Sequence, residues 1–376
     1  MSQMIKREFG QGDAPLLAAE KRTKMSRLNG VKNSDGPRAG RDKSIKMKNE
    51  EINEINDKTN ETNEINVKKE PSVKDEFENL RPIDHIKIEI EEPPNVFVKV
   101  GQDEMTSNAP NNWIDIYNQV VAMRSKFMAP VDTQGCERMP NTINKGVRTT
   151  NPRVYRFQLL ISLMLSSQTK DEVNFDAMYK FHNGLLAKNP DGLCLEAVLE
   201  LSEAEIDHYI CKVGFHNRKS VYIKKSCELL RDNFGGDIPQ TIEEIVTLPG
   251  VGPKMGYLLL QSGWNINSGI GVDVHLHRLA QLWGWTSKNA KTPEHTRLEL
   301  ESWLPHKYWS DINPLLVGFG QAICVPRASN CDICYLARSG SCKASNKKLM
   351  KPLDDQRIAK LSKQRADLSR LLLEFL

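Results

Sequence analysis

The sequence predicts an all-α protein, and three observations carry that prediction. From "NNWIDIYNQVVAMRSKF" onward apolar residues recur at three- and four-residue spacing, so that Trp113, Ile116, Val120, Val121 and Met123 share a helix face. No run of alternating β-branched residues competes with that pattern. Short turns such as "KNPDG" and "FGGDIP" separate one periodic stretch from the next.

Taken in order, residues 1–110 are expected to form a disordered tail. Residues 1–48 hold basic clusters ("KRTKMSR", "RDKSIKMK"), while 49–104 turn acidic and repeat "NEIN"; such blocks solvate instead of packing. The basic clusters read as nuclear localisation signals. "VKKE", "VKDE" and "IKIE" set Lys68, Lys74 and Lys87 in a pattern that resembles the acceptor motif for small ubiquitin-like modifiers. After the helix near 113–123, helical spacing runs through 155–166, 171–187, 195–200, 203–212, 217–233, 241–246, 253–262 and 274–284. The tail "IAKLSKQRADLSRLLLEF" keeps helical spacing too, and is expected to pack on the domain or bind a partner.

The 376 residues are 39% hydrophobic and 27% charged, which suits a soluble protein whose core lies after about residue 110. Residues 1–109 carry 19 Lys/Arg against 21 Asp/Glu, leaving 33 against 27 in the remainder, a surplus that permits an anionic partner. No apolar run approaches a membrane span, and the first residues lack the apolar core of a signal peptide. With secretion disfavoured, the eight cysteines are not expected to form a disulfide framework.

One helical stretch is broken by "LPGVGPK", residues 248–254. Gly250 and Gly252 accept positive φ and let backbone N–H groups approach an incoming group, and Pro253 suits the first turn of the next helix. A helix start offers free N–H groups and a positive dipole end, which favour a phosphate. This is helix-hairpin-helix geometry suited to DNA, although an ordinary tight helix–helix turn uses the same residues. Downstream, Cys324, Cys331, Cys334 and Cys342 are spaced C-x6-C-x2-C-x7-C, a metal centre that the spacing leaves open between zinc and iron–sulfur.

"LSSQTKD", "LPGVGPK", "GVDVHLHR" and the cysteine quartet, in that order, resemble the endonuclease III family of DNA repair glycosylases, specifically its eukaryotic members. The resemblance covers roughly residues 112–345 and implies a 4Fe-4S cluster on Cys324, Cys331, Cys334 and Cys342. The chain departs from the family in having seven residues, not five, before its last cysteine, and Gly271 and Val274 where Ala and Thr are usual. The resemblance implies a helix-hairpin-helix glycosylase fold of two helical domains. Residues 111–153 would join the cluster domain, 154–266 would hold the hairpin, 267–345 the cluster, and 346–376 a helical tail.

The chemistry implied is excision of an oxidised base and strand cleavage. The nucleotide rotates out of the stack, Lys254 attacks the sugar, and β-elimination from the resulting Schiff base cuts 3′ to the lesion. Only the neutral amine attacks, and with an ordinary lysine pKa near 10.4 about one in a thousand is neutral at physiological pH. A helix N-terminus and nearby cations would ease that deprotonation. Asp273 would receive the ammonium proton or stabilise the sugar cation, although an aspartate before "VHLHRLAQLW" is also a natural N-cap. The lysine separates this chain from mismatch-adenine glycosylases of the same fold, which lack it and carry a further C-terminal domain.

By the same resemblance Gln168 fills the gap left by the extruded nucleotide, and Phe215 is either an aromatic wedge or a core residue. Lys219, Arg278 and Arg327 are candidate phosphate contacts. His275 and His277 stand on different helix faces, so they read as structural or DNA-proximal and not as a metal pair. The expected protein is a monomeric bifunctional glycosylase and AP lyase of base excision repair, acting on duplex DNA in the nucleus and in the mitochondrion, with repair partners reached through its tails. The alternative is a non-catalytic DNA-binding module using the hairpin and a structural metal site.

Overall fold

The computed structural model describes residues 96–376 except 328, 351, 363, 365 and 376. The basic and acidic stretches, with Lys68, Lys74 and Lys87, lie outside the described residues. Among the described residues there is no strand. The α-helices are α1 (Trp113–Arg124), α2 (Pro130–Gln134), α3 (Met139–Ile143), α4 (Val147–Thr150), α5 (Pro152–Ser166), α6 (Asp171–Leu186), α7 (Leu195–Leu199), α8 (Glu203–Ile210) and α9 (His216–Asn233). There follow α10 (Ile242–Ile245), α11 (Pro253–Trp264), α12 (Val274–Trp283), α13 (Pro293–Glu301), α14 (Ile312–Ala322), α15 (Tyr335–Arg338), α16 (Asp355–Leu361) and α17 (Ser369–Leu372).

Local chemistry sets where these helices start. Asn151 accepts the Val154 N–H while Pro152 takes the first helical position of α5. Ser202 and Glu205 cap α8 reciprocally. Thr292 caps α13, again ahead of a proline. No helix among the described residues is long and apolar enough to cross a membrane.

Two hydrophobic clusters organise the helices. One is built from α1, α12 and α14 together with the cysteine segment and α16 and α17, with Trp113, Leu276, Phe319, Ile333 and Leu371 buried in it. At its centre Trp113, Tyr117, Trp303 and Tyr308 meet with ring centroids 5.4 to 6.3 Å apart. The other runs from α3 to α11 and buries Met139, Phe157, Phe181, Ile223 and Leu259.

This packing divides the chain differently from the expected boundary at 153. Met139, Ile143 and Val147 are buried with the hairpin helices, so α3 and α4 go with them. Residues after 345 pack on the domain, the first of their two expected outcomes, with Leu361, Leu368 and Leu371 buried in the first cluster. The single terminal helix is split in two. Asp354 caps α16 through the Arg357 N–H, and Asp367 turns the chain by accepting from the N–H and hydroxyl of Ser369.

A buried ion pair joins α1 to α2. Arg124 meets Asp132 at 2.7 Å with both side chains 1% exposed, and its guanidinium also donates to the carbonyls of Leu315 and Phe127. Asp132 in turn accepts the Ala129 N–H at 2.7 Å. From α2 the linkage continues: Gln321 on α14 accepts the Val131 N–H and donates to Asp171 on α6 at 2.8 Å.

Candidate active site

The hairpin is formed by α10, a tight turn and α11. Gly250 has φ 80°, and a Cβ there would lie 2.5 Å from Tyr222 Cδ2, so only glycine fits. Gly252 differs from expectation: it is extended, with φ −103° and ψ 174°. A Cβ on Gly252 would meet nothing within 4 Å. Its value is the open approach to the start of α11, whose first N–H groups receive no side-chain cap.

Lys254 stands half-buried in the first turn of α11. The strand of backbone leading to α12 packs directly against that helix, since a Cβ on Gly271 would lie 2.7 Å from Leu258 and 3.3 Å from the Lys254 carbonyl. Asp273 is the N-cap of α12 and takes the Leu276 N–H at 2.7 Å through Oδ1. The capping reading therefore holds, with Oδ1 as the acceptor.

Lys254 and Asp273 both bear on His275. Burial holds the His275 ring below the usual histidine range; Asp273 and Asp171 pull it up, while Arg278 and Lys254 push it down. Its Nδ1 is buried without a hydrogen-bond partner. The same lysine is felt by the Cys136 thiol, which burial drives up. The charge of Lys254 is thus felt at His275, which the sequence set near DNA, and at Cys136, which no motif singled out, and Asp171 acts on both groups as well. Asp171 was within reach, as it ends "LSSQTKD"; Cys136 arrives from a separate segment with no local signal.

Gln168 and Phe215 are both left-handed, with φ 52° and 59°. For residues with a Cβ that conformation costs about 1–3 kcal/mol each. Phe215 is 60% exposed, which decides against a core role. Replacing it with alanine is expected to shift stability by less than about 0.5 kcal/mol, while excision from duplex DNA falls; thermal unfolding and a strand-cleavage assay read the two effects separately.

Two expected phosphate contacts are engaged elsewhere. Lys219 is only 6% exposed, and its ammonium donates to the carbonyls of Leu165 at 2.7 Å and Ser167 at 2.8 Å. Burial pulls its pKa down to about 8. Arg278 donates to the Cys324 carbonyl at 2.5 Å and to Cys324 Sγ at 3.5 Å, because its place on α12 faces the cysteine loop. Arg327 is exposed.

The four cysteines converge on the first hydrophobic cluster, Cys334 inside it and Cys324, Cys331 and Cys342 against it. Burial pushes the Cys334 thiol up to about 12, and Cys324 and Cys342 add to the rise. Cys342 is raised by burial and then by Cys324 and Cys331. For Cys334 and Cys342, whose ionisation the neighbouring thiols oppose, a cation bound among them would act the other way. Donors are in place for charged sulfur: Arg278 at Cys324 and the Asn346 N–H at Cys331, 3.4 Å away. Among the described residues, no three His, Cys, Asp or Glu side chains draw together as around one metal ion. Between Cys331 and Cys334, Asp332 is gripped by Arg357 of α16 through both carboxylate oxygens, at 2.5 and 2.9 Å.

Residues 161–306 match the family model described as HhH-GPD superfamily base excision DNA repair protein. Over 238 residues the chain is 48% identical to the Endonuclease III homolog of Schizosaccharomyces pombe, covering 63% of each chain. It is 43% identical over 262 residues to Endonuclease III homolog 2 of Saccharomyces cerevisiae, 67% of this chain and 68% of the relative. Endonuclease III-like protein 1 of Mus musculus is 44% identical over 225 residues, 60% of this chain and 71% of the relative. The match to the first of these thus spans slightly less than two thirds of that relative's length.

Proposed function

The chain belongs to the endonuclease III family, covering two thirds or more of relatives to which it is 43–44% identical, and from that premise we propose a bifunctional DNA N-glycosylase and AP lyase for oxidised pyrimidines. The observation that carries the proposal is the packing of the segment before Asp273 against the helix that carries Lys254, where a Cβ on Gly271 would lie 3.3 Å from the Lys254 carbonyl, with Lys254 in the first turn of α11 and Asp273 at the N-cap of α12.

In the proposed reaction the hairpin N–H groups hold a phosphate and the damaged nucleotide is turned out of the duplex. Asp273 Oδ2 takes the proton from the Lys254 ammonium. The amine then forms a bond to the anomeric carbon, and the glycosidic bond breaks with its electron pair leaving on the base, which takes the proton held by Asp273. Ring opening yields a Schiff base between Lys254 and the sugar. Loss of the neighbouring sugar proton expels the 3′ phosphate, and hydrolysis of the imine frees the enzyme. His275, held toward its neutral form, adds no second full cation beside the lysine.

Cys324, Cys331, Cys334 and Cys342 would hold a 4Fe-4S cluster. Bound there, it supplies a cross-link that fixes the loop carrying exposed Arg327, since the reaction requires no electron transfer. Brown protein with broad visible absorption is the expected result, against a colourless zinc protein. Action on nuclear and mitochondrial DNA as a monomer completes the reading.

The test is incubation with a duplex bearing one oxidised pyrimidine, with and without borohydride. Strand scission 3′ to the lesion and a trapped covalent adduct are expected. Tight binding without either would return the chain to the DNA-binding module. Asp273→Asn separates the aspartate's two duties, because asparagine caps a helix as well as aspartate does. Unchanged thermal unfolding with cleavage slowed by about 10²–10⁴-fold is expected.

A further inference from the structure

We propose that Lys219 is a positioning residue, a buried strut that holds the Gln168 and Phe215 turns at one fixed spacing so that both side chains enter the duplex together; this rests on the function proposed above. Both turns are left-handed at residues that carry a Cβ, so something must hold them there. Lys219 is bonded to each. It sits in the first turn of the helix that Phe215 caps, its N–H donating to the Phe215 carbonyl at 3.0 Å as any residue there would, and its side chain reaches that turn through the Thr169 hydroxyl. Its ammonium donates to Leu165 and Ser167, the carbonyls leading into Gln168.

Those carbonyls close the C-terminal end of α5, where a cation is favoured by the helix dipole as well as by hydrogen bonding. Thr169 makes a second link. Its hydroxyl accepts from the Gly214 N–H at 3.2 Å and lies 3.4 Å from Lys219 Nζ, so the residue after Gln168 is tied to the residue before Phe215. Gln168 and Phe215 themselves are exposed. The ammonium is buried beneath them and cannot reach a phosphate while it serves these three oxygens.

An ångström's misplacement of groups that must act together costs on the order of 10²-fold in rate. Lys219→Met keeps the length of the side chain and removes the donors. In the full chain it is expected to lower single-turnover excision from a lesion duplex by roughly 10- to 100-fold. It should also abolish the fluorescence rise of 2-aminopurine placed beside the lesion. Borohydride trapping on a single-stranded abasic oligonucleotide, which has no stack to open, should stay within about twofold of the native chain. If Lys219→Met loses that single-stranded trapping too, Thr169→Val becomes the deciding variant, because it removes the shared hydroxyl without touching the charge. The split between duplex and single-stranded substrate in either variant supports the strut. Duplex excision and fluorescence unchanged in Lys219→Met, or both substrates lost in parallel in Thr169→Val, would overturn it. Absence of trapping by the native chain would instead defeat the lyase reading itself.

Discussion

Lys254→Ala is expected to bind a lesion duplex and yield no borohydride adduct, with strand scission at background. The substitution removes a half-buried side chain from the first turn of α11 and leaves Gly250, Gly252 and Pro253 in place. Alanine is the best helix former, so stability should move by less than about 0.5 kcal/mol. The chemical loss is of another order, because without an amine at the sugar there is no Schiff base and no acidified proton for β-elimination. The other buried lysine is no substitute: Lys219 is committed to the Leu165 and Ser167 carbonyls. Persistence of a full adduct in Lys254→Ala would mean that a different nitrogen attacks.

Arg124→Met is expected to cost about 3–5 kcal/mol, the usual penalty for stranding one charge of a buried pair. At about 2–4 °C per kcal/mol that is a fall in thermal midpoint of about 10 °C. The guanidinium satisfies Asp132, Leu315 and Phe127 together, so three acceptors on three segments lose their donor at once. Arg124→Met combined with Asp132→Asn removes the stranded charge, and unfolding should recover part of the loss. Additive losses in the double variant would show that the two side chains are uncoupled. Since α2 also presents Val131 to Gln321, and Gln321 holds Asp171, the fall in stability should be accompanied by slower cleavage.

Helices with a strong apolar period were legible to within a residue or two, as α6, α9, α11 and α12 illustrate. The helix α13 was not assigned, although "TPEHTRLELE" carries a threonine cap and a first-turn proline. Its apolar residues are too sparse to make a period. Lys254 and Asp273 stood out because each lies in a dense local motif. Lys219 and Arg278 were given the default role of a basic residue, contact with a phosphate. Their actual acceptors are backbone carbonyls, the Thr169 hydroxyl and a thiol, and no side chain in the sequence advertises a carbonyl. Arg124, near the end of a helix, likewise reads as a solvated cation until Asp132 folds back over it. Phe215 was undecided in the sequence because wedge and core ask for the same aromatic side chain, and only exposure separates them.

The two hydrophobic clusters differ in how the chain supplies them. The hairpin cluster draws on one continuous stretch, 136–266, whereas the cysteine-bearing cluster needs both 97–131 and 270–375. Contacts that join distant segments form late, because a long loop has to be closed before they return any energy. During synthesis the stretch around Lys254 emerges whole and has all its apolar neighbours available. The helix capped by Asp273 docks on a core that is completed only when the later segment follows. A nascent chain therefore passes through a stage in which the helix that carries Lys254 is packed while the core beneath the helix capped by Asp273 still awaits its later segments.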